Sequence, residues 1–306
     1  MTILAFDLGG TRTRVGLFDS HLNLVQRLEM TSNAADGPDA AIGRMIALGR
    51  LLVKEQVEAI GVSAPGPLDA QSGVIHHAWT LPGWHQVPIG QRLAEAFGVR
   101  VYIENDANCG ALAEYHAGAG QGCDPMIYLT ISTGIGGGVI INGRLFTGWR
   151  GLAAEPGHQV FRLADGRTKK LEELASGQGI AQIAQERLHS WTGETQLRQV
   201  PTLDAKAINL AAQHGDALAA AIIQEAGEWL GLGIVNLLHL FNPQAVVIGG
   251  SVALMGDRLF EPVRAALDMH LLSPAFNAPD LLRPAALGDD VCLFGAAWMA
   301  AQRLKG

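Results

Sequence analysis

Three short turns rich in glycine and hydroxyl residues each follow a run of apolar residues that predicts a β-strand. They are DLGGT at residues 7–11, STGIGGG at residues 132–138 and IGGS at residues 248–251. Glycine lets the main chain approach a ligand closely, and the backbone N–H groups of such a turn can converge on one anion. A plain β-hairpin also needs glycine, so a single turn predicts little. Three together favour a site that binds the phosphates of a nucleotide.

An acidic residue and a repeated pattern add to this prediction. Asp7 stands immediately before the first turn, where a carboxylate can hold a metal-bound water beside a phosphate. The first two turns each join two strands, and they lie in different predicted domains, which indicates an internal duplication. The third turn precedes a helix and is placed to take the nucleoside end of the ligand.

Polar side chains elsewhere could bind a second ligand. Asn105 and Asp106 come where a predicted strand ends and a helix begins, a position at which both residue types are also common helix caps. Glu155 and His158 flank a tight turn, and Glu172 stands in a short acidic helix. Taken singly, these could be a surface turn and a solvated helix face. Together they suit a ligand with many hydroxyl groups, and a carboxylate among them could deprotonate one such hydroxyl for phosphoryl transfer.

The pattern of apolar residues indicates an α/β fold of two domains around a cleft. We expect a small domain made of residues 1–118 with 293–306, and a large domain of residues 119–292. The stretch 68–88, with Trp79 and Trp84, is interpreted as loop-rich, and residues 291–292 as a short strand. Helices are predicted by apolar periodicity at residues 41–55, 89–97, 107–118, 204–214, 216–241 and 293–304.

Composition narrows the function classes. The chain has 306 residues, of which 48% are hydrophobic and 17% charged, with a net charge of −7. This composition provides a large core, and without a Lys/Arg stripe we expect no nucleic-acid partner. The three cysteines form no CxxC pair and predict no disulfide framework. With no predicted signal peptide or membrane span, and the apolar helix 216–241 interpreted as a core helix, we expect a cytoplasmic protein.

The order of the motifs resembles that of the repressor–ORF–kinase (ROK) family of sugar kinases, which has the duplicated actin-like, ribonuclease H-like ATPase fold. Several of the motifs are weak singly, but their order covers most of the chain. Besides the three glycine turns, the matching segments are SAPGP at 63–67, LPGW at 81–84, ENDAN at 104–108, EPGH at 155–158, LE at 171–172 and ASG at 175–177.

The resemblance implies roles for individual residues. Asp106 is expected to be the general base on a sugar hydroxyl, and Asp7 to hold the Mg²⁺ of ATP through water. The residues expected to bind the sugar are Gly66, Asn105, Asp106, Glu155, His158 and Glu172. Those expected to bind ATP are Gly9, Gly10 and Thr11 on one side of the phosphates, Thr133 and Gly134 on the other, and Gly249 and Gly250 beside the adenosine.

The resemblance also implies an ATP-dependent, Mg²⁺-dependent phosphotransferase that acts on the 6-hydroxyl of a hexose, with D-glucose as the first candidate. N-acetylmannosamine, N-acetylglucosamine, mannose and fructose remain open as acceptors. Two other classes are weighed against it. A sugar-binding transcription regulator is disfavoured because the first strand begins at Ile3, which leaves no room for an N-terminal helix-turn-helix. A chaperone- or actin-like ATPase is disfavoured because Asn105, Asp106, Glu155 and His158 suit a small polyhydroxyl ligand. We expect a homodimer, and no membrane partner.

The chain departs from the family pattern at two places. Many members have a structural zinc site formed by the histidine of the EPGH motif and three cysteines, but residues 159–170 contain no cysteine. We therefore expect no structural zinc, and the order of the loop that precedes Glu172 must come from packing. Thr80 stands where the family often has Asn, and a hydroxyl there changes which sugar hydroxyl can be reached.

Overall fold

The first glycine turn lies between two strands of a five-stranded sheet. The computed structural model describes residues 1–54, 56–78 and 80–305. The strands are β1 (Ile3–Leu8), β2 (Arg12–Phe18), β3 (Leu24–Thr31), β4 (Ala59–Ala64) and β8 (Arg100–Asn105), in the order β3-β2-β1-β4-β8. β1 is antiparallel to β2 and parallel to β4, and β1 and β4 are buried along their whole length. Strands covered on both faces are expected to be continuous apolar runs, and apart from Asp7 and Ser63 these two strands are.

The second turn lies in a sheet of the same design. Its strands are β9 (Met126–Ile131), β10 (Ile135–Ile141), β11 (Arg144–Leu145), β14 (Ala245–Gly249) and β15 (Leu282–Pro284), in the order β11-β10-β9-β14-β15. β9 is antiparallel to β10 and parallel to β14. The two sheets therefore have the same order of strands, and the predicted duplication of an α/β fold is confirmed.

The chain divides into two compact units: unit 1 contains the first sheet, and unit 2 contains the second sheet apart from Leu145. Unit 1 comprises Met1–Gln121, Leu145–Ala153 and Ala286–Gly306, and unit 2 comprises Gly122–Arg144 and Ala154–Ala285. The segment Leu145–Ala153 thus groups with unit 1, a feature that the sequence pattern did not indicate.

The helices of unit 1 cover its sheet. They are α1 (Gly37–Leu52), α2 (Ile89–Phe97), α3 (Asp106–Ala117) and α9 (Val291–Lys305). α9 packs on β1, β4 and α3, and its Gly295 lies so close to Cys109 of α3 that a Cβ there would be 1.9 Å from the Cys109 carbonyl oxygen. The strand predicted at residues 291–292 is wrong, because these residues form the first turn of α9.

The helices of unit 2 pack around one long apolar helix. They are α4 (Leu171–Ala175), α5 (Gly177–Ser190), α6 (Ala205–Gln213), α7 (Ala217–Phe241) and α8 (Asp257–His270). In length and composition α7 could cross a membrane, but it packs against α4, α5, α6 and α8, and residues such as Leu230 and Ile234 are fully buried. Its interpretation as a core helix is consistent with this packing.

Two small antiparallel sheets complete the architecture. Residues 68–88, predicted as loop-rich, contain a three-stranded sheet of β5 (Leu68–Asp69), β6 (Val74–His77) and β7 (His85–Val87). The other sheet is the hairpin of β12 (Val160–Arg162) and β13 (Thr168–Lys170). The predicted helix 41–55 ends at Leu52 as α1. Glu55 and Trp79 lie outside the described residues.

Candidate active site

The turn between β1 and β2 is held by its own backbone and by the chain next to it. The Gly9 amide donates to the Arg12 carbonyl oxygen at 3.0 Å. A Cβ at Gly10 would lie 2.9 Å from the carbonyl oxygen of Thr80, so glycine is required for this close approach. Thr11, at the tip of the turn, is exposed. The turn thus offers backbone N–H groups and one accessible hydroxyl, as a phosphate ligand requires.

Asp7 lies at the end of β1, almost completely buried. Its Oδ2 accepts a hydrogen bond at 2.9 Å from Nη1 of Arg14, the residue that pairs with Asp7 across the β1–β2 hairpin. Burial raises the pKa of Asp7, and the hydrogen bond and charge of Arg14 oppose this rise. A carboxylate held in this way fits a water-mediated contact to Mg²⁺, since oxygen ligands and retained waters are what Mg²⁺ prefers.

Asp7 and Asp106 belong to one region of unit 1. Cys292, in the first turn of α9, donates from its Sγ to the backbone carbonyl of Asp106 at 3.5 Å. The pKa of Cys292 is raised well above its usual value, first by burial and then by the negative charges of Asp7 and Asp106. Both carboxylates are thus near this thiol, which stays protonated and unreactive.

Asn105 caps the helix that begins at Asp106. Its Oδ1 accepts from the amides of Ala107, at 2.9 Å, and Asn108, at 3.4 Å. The capping role that the sequence left open is therefore real. A Cβ at Gly66 would lie 3.0 Å from the Asn105 amide nitrogen, so unit 1 brings these two predicted sugar-binding residues together.

The orientation of Asp106 is set by the same helix end. Its Oδ1 accepts a hydrogen bond at 2.8 Å from the amide of Ala107, the first residue after it in α3. This bond fixes the carboxylate at the N-terminus of α3, beside Asn105. A helix N-terminus favours a negative side chain, so the position suits a carboxylate that must act as a base.

The turn after β9 is the counterpart of the first turn, and hydrogen bonds connect it to the helix α5. The Ser132 amide donates to the Gly134 carbonyl oxygen at 2.9 Å. The first two amides of α5 donate to this turn: Gly177 to the Ser132 oxygen at 2.8 Å, and Gln178 to the Thr133 oxygen at 3.3 Å. Thr133 is exposed, so its hydroxyl is accessible to a phosphate in the same way as that of Thr11.

The third glycine turn meets the second one at Ser132. The Ser251 amide donates to Ser132 Oγ at 3.2 Å. Gly250 has φ +89°, and a Cβ there would lie 2.4 Å from the Ile131 carbonyl oxygen, so only glycine fits. Unit 2 therefore joins the turns predicted to contact the phosphates and the adenosine.

Glu155, His158 and Glu172 come together in unit 2. His158 Nε2 lies 3.7 Å from Glu172 Oε1. Glu155 is exposed, but partial desolvation raises the pKa of its carboxyl group; the charge of His158 opposes this rise and that of Glu172 adds to it. These three side chains form the polar cluster that the sequence predicted.

This cluster adjoins the second phosphate turn. A Cβ at Gly134 would lie 3.1 Å from Oε2 of Glu172, so the turn and this carboxylate approach each other closely. One edge of unit 2 thus combines polar side chains suited to a polyhydroxyl ligand with a turn suited to a phosphate.

Residues 159–170, where many ROK proteins bind zinc, form the β12–β13 hairpin. Among the described residues, no group of three His, Cys, Asp or Glu side chains is placed to hold a metal ion. The cysteines are Cys109, Cys123 and Cys292, all outside this segment, so the donor set does not fit a thiolate zinc site. The absence of structural zinc stays a prediction.

Three residues at the site were not identified from the sequence. Arg14 could have been found from the β1–β2 hairpin, because it lies opposite Asp7 in the register. Ser176 belongs to a motif that was noted, and its Oγ accepts from the Gly179 amide at 3.1 Å as the cap of α5. Gln159, which connects His158 to α7, left no sequence signal.

Two sheets with the same order of strands, each with a glycine turn between its first two strands, are typical of the actin-like ATPase fold. The sequence pattern of the ROK family matches residues 3–303, so the chain belongs to the ROK family. A glucokinase of Thermotoga maritima is 33% identical over 100% of this chain and 99% of its own. An N-acetylmannosamine kinase of Salmonella typhi is 33% identical over 98% of each chain. The crystal structure of a ROK glucokinase from Streptomyces griseus with glucose and AMPPNP superimposes with a TM-score of 0.82, at 30% identity, over 99% of this chain and 100% of the other.

Proposed function

We propose that this protein is an ATP-dependent sugar kinase that transfers the γ-phosphate of ATP to the 6-hydroxyl of a hexose. One observation carries the proposal: Glu172 lies beside His158 of the polar cluster and also beside Gly134 of a phosphate turn. A site for hydroxyl groups next to a site for phosphates is the arrangement that phosphoryl transfer to a sugar requires.

Asp106 is the proposed general base. Its carboxylate takes the proton of the sugar 6-hydroxyl while the sugar oxygen forms a bond to the γ-phosphorus and the bond from phosphorus to the ADP oxygen breaks. The Ala107 amide, which donates to Asp106 at 2.8 Å, orients the carboxylate. Because Oδ1 of Asn105 caps α3, its Nδ2, which lies against Gly66, is the group proposed to donate to the sugar.

The remaining residues bind and position the two substrates. Glu155, His158 and Glu172 pair with sugar hydroxyl groups, so a sugar that lacks one of these hydroxyls leaves a polar group unpaired and binds less well. The predicted ATP contacts divide between Gly9, Gly10 and Thr11 in unit 1 and Thr133, Gly134, Gly249 and Gly250 in unit 2. Asp7 is placed to hold Mg²⁺ through water, and the bound ion would neutralise charge on the phosphates.

D-glucose is the first candidate acceptor, because two of the relatives named above are glucokinases. The structure of the Streptomyces griseus glucokinase contains glucose. The N-acetylmannosamine kinase relative is equally similar in sequence, so N-acetylmannosamine, N-acetylglucosamine and fructose remain alternatives. Thr80, whose carbonyl oxygen lies against Gly10, is a candidate for the choice between them.

We also propose a cytoplasmic homodimer. Support for the dimer comes from large apolar side chains that are exposed on unit 2, among them Leu240, Leu254, Met269 and Leu272. Exposed apolar patches often mark contacts between proteins. Light scattering coupled to gel filtration gives the mass in solution, and a monomer at micromolar concentration would overturn this assembly.

The test of function is a coupled ADP-release assay with Mg-ATP against hexoses and N-acetylhexosamines. The proposal predicts release that depends on one or a few of these sugars, with the phosphate on the 6-oxygen of the product. Release without sugar would indicate an ATPase instead. Sugar binding without ADP release, in protein shown to be folded, would favour a sugar-binding regulator.

A further inference from the structure

The segment between His158 and Glu172 contains no cysteine, so thiolate ligation of zinc cannot fix Glu172 relative to His158, and another feature must do so. Glu172 lies in α4, a helix of only five residues. The hairpin that precedes α4 is largely exposed, as in Val160 and Arg162. Three of the five residues of α4, Leu171, Leu174 and Ala175, are buried, and a helix this short depends on such tertiary contacts for its stability.

Gln159 supplies such contacts, because it follows His158 directly and bonds in three directions. Its backbone carbonyl accepts from the Leu171 amide at 2.9 Å. Its side-chain Nε2 donates to the carbonyl oxygens of Pro156, at 3.2 Å, and Gly233, at 3.4 Å. Its Oε1 accepts from Nδ2 of Asn236 at 3.0 Å. Both ends of the hairpin, and the EPGH turn, are thereby tied to the core helix α7.

The close approach of α7 is part of this arrangement. A Cβ at Gly233 would lie 2.5 Å from Cδ2 of Leu171 and 3.5 Å from Nε2 of Gln159. Leu171 is buried, with 1% of its surface exposed. Glycine at residue 233 therefore lets the residue before Glu172 and the residue after His158 both pack against the same turn of α7.

We propose that Gln159 is a positioning residue for sugar binding, which sets the relation between His158 and Glu172 by fixing both ends of the hairpin on α7. Its side-chain hydrogen bonds and the Leu171–Gly233 packing hold this segment in place of the zinc ligation that many family members have there. This inference rests on the proposed sugar kinase activity, and Gln159 acts through its two neighbours.

The test replaces Gln159 by Met, which has a similar length but cannot make these hydrogen bonds. We expect the KM for the sugar to rise about tenfold, equivalent to about 1.4 kcal/mol of binding, while the KM for ATP changes less than twofold. We also expect faster hydrogen exchange at the Leu171 amide, measured by NMR without substrate. Gln182→Met, on the exposed face of α5, is the matched control and should alter none of these.

A second variant keeps the test informative if Gln159→Met folds poorly. Asn236→Ala removes one of the α7 partners and should raise the sugar KM and the Leu171 exchange rate in the same direction, but less. An unchanged sugar KM in Gln159→Met, with or without faster exchange, would overturn the positioning role. A raised sugar KM with unchanged Leu171 exchange would also overturn it, because Gln159 would then contact the sugar itself.

The same experiment separates this inference from the proposed function. If the unmodified protein phosphorylates no sugar, the kinase proposal fails. The structural part of the inference is then decided by the exchange rate of the Leu171 amide alone: faster exchange in Gln159→Met supports the fixing of the hairpin by Gln159, and unchanged exchange overturns it.

Discussion

The two halves of the molecule share one sheet design, yet their glycine turns differ in charge. In unit 1, Asp7 pairs in the β1–β2 register with Arg14, and the two form an ion pair. The corresponding pair in unit 2, counted from the strand ends, is Thr130 with Gly136. The duplicated fold therefore carries a buried ion pair at one turn and an uncharged pair at the other.

This difference indicates a division of work between the halves. Unit 1 supplies Asp7, proposed to hold the metal, and Asp106, the proposed base, whereas the turn of unit 2 has only backbone groups and hydroxyls for the proposed contact with phosphate. Unit 2 instead contributes the polar cluster of Glu155, His158 and Glu172, which is proposed to bind the sugar. This cluster adjoins the turn of unit 2 where Glu172 approaches Gly134. Because a shared backbone gives both halves the same turn, the side chains that differ between them determine the chemistry.

The largest effect is expected for the base in unit 1. Asp106→Asn should lower kcat by about 10²–10⁴-fold and leave sugar binding measurable by calorimetry, because Asn can still accept the Ala107 hydrogen bond. Asp39→Asn, whose side chain is 91% exposed, is the control and should be neutral. Unchanged turnover in Asp106→Asn would remove Asp106 from the mechanism.

The second largest effect is expected when a glycine in the turns of unit 2 is replaced. Gly250→Ala places a Cβ 2.4 Å from the Ile131 oxygen and should cost about 1–3 kcal/mol of folding stability, with a raised KM for ATP. Gly215→Ala has a similar φ of +85° but no atom within 4 Å, so it isolates the backbone strain. Equal losses of thermal stability in both variants would show that the close approach at Gly250 is unimportant.

The sugar cluster should give a pH dependence. Partial desolvation raises the pKa of Glu155, so the carboxylate proposed to accept sugar hydroxyls is lost at a higher pH than for an ordinary Glu. The KM for the sugar should therefore rise as pH falls toward this raised pKa, and Glu155→Gln should flatten that part of the profile. The same profile in both proteins would show that Glu155 does not bind the sugar in its ionised form.

The smallest effect is expected for treatment with a zinc chelator. A thiolate site is impossible in residues 159–170, so incubation with 1,10-phenanthroline, with Mg²⁺ in excess, should leave kcat and the melting temperature unchanged. A fall in either that added Zn²⁺ restores would reveal a zinc site elsewhere.

Local sequence pattern predicted much of this fold, and it failed where tertiary contacts decide. The strands around each glycine turn and α2 agree with their predictions because apolar runs and turn residues determine them locally. The strand predicted at residues 291–292 is wrong: these residues begin α9, which packs along α3, and the local pattern does not show that contact.

The same limit applies to the candidate site. The residues of the sugar cluster were identifiable because they belong to motifs. Gln159 was not, because its role depends on Gly233 and Asn236, more than 70 residues further along the chain. Nothing in a single sequence indicates that these residues are neighbours.

The most direct test of the division of work compares matching positions in the two halves. Asp7→Asn and Thr130→Val change corresponding strand residues to side chains of similar size, and kcat is measured for each against Mg²⁺ concentration, with circular dichroism to confirm folding. The account predicts that Asp7→Asn lowers kcat or apparent Mg²⁺ affinity about 10–100-fold, while Thr130→Val stays within twofold of the unmodified protein. Equal losses in the two variants, or a loss confined to Thr130→Val, would contradict it.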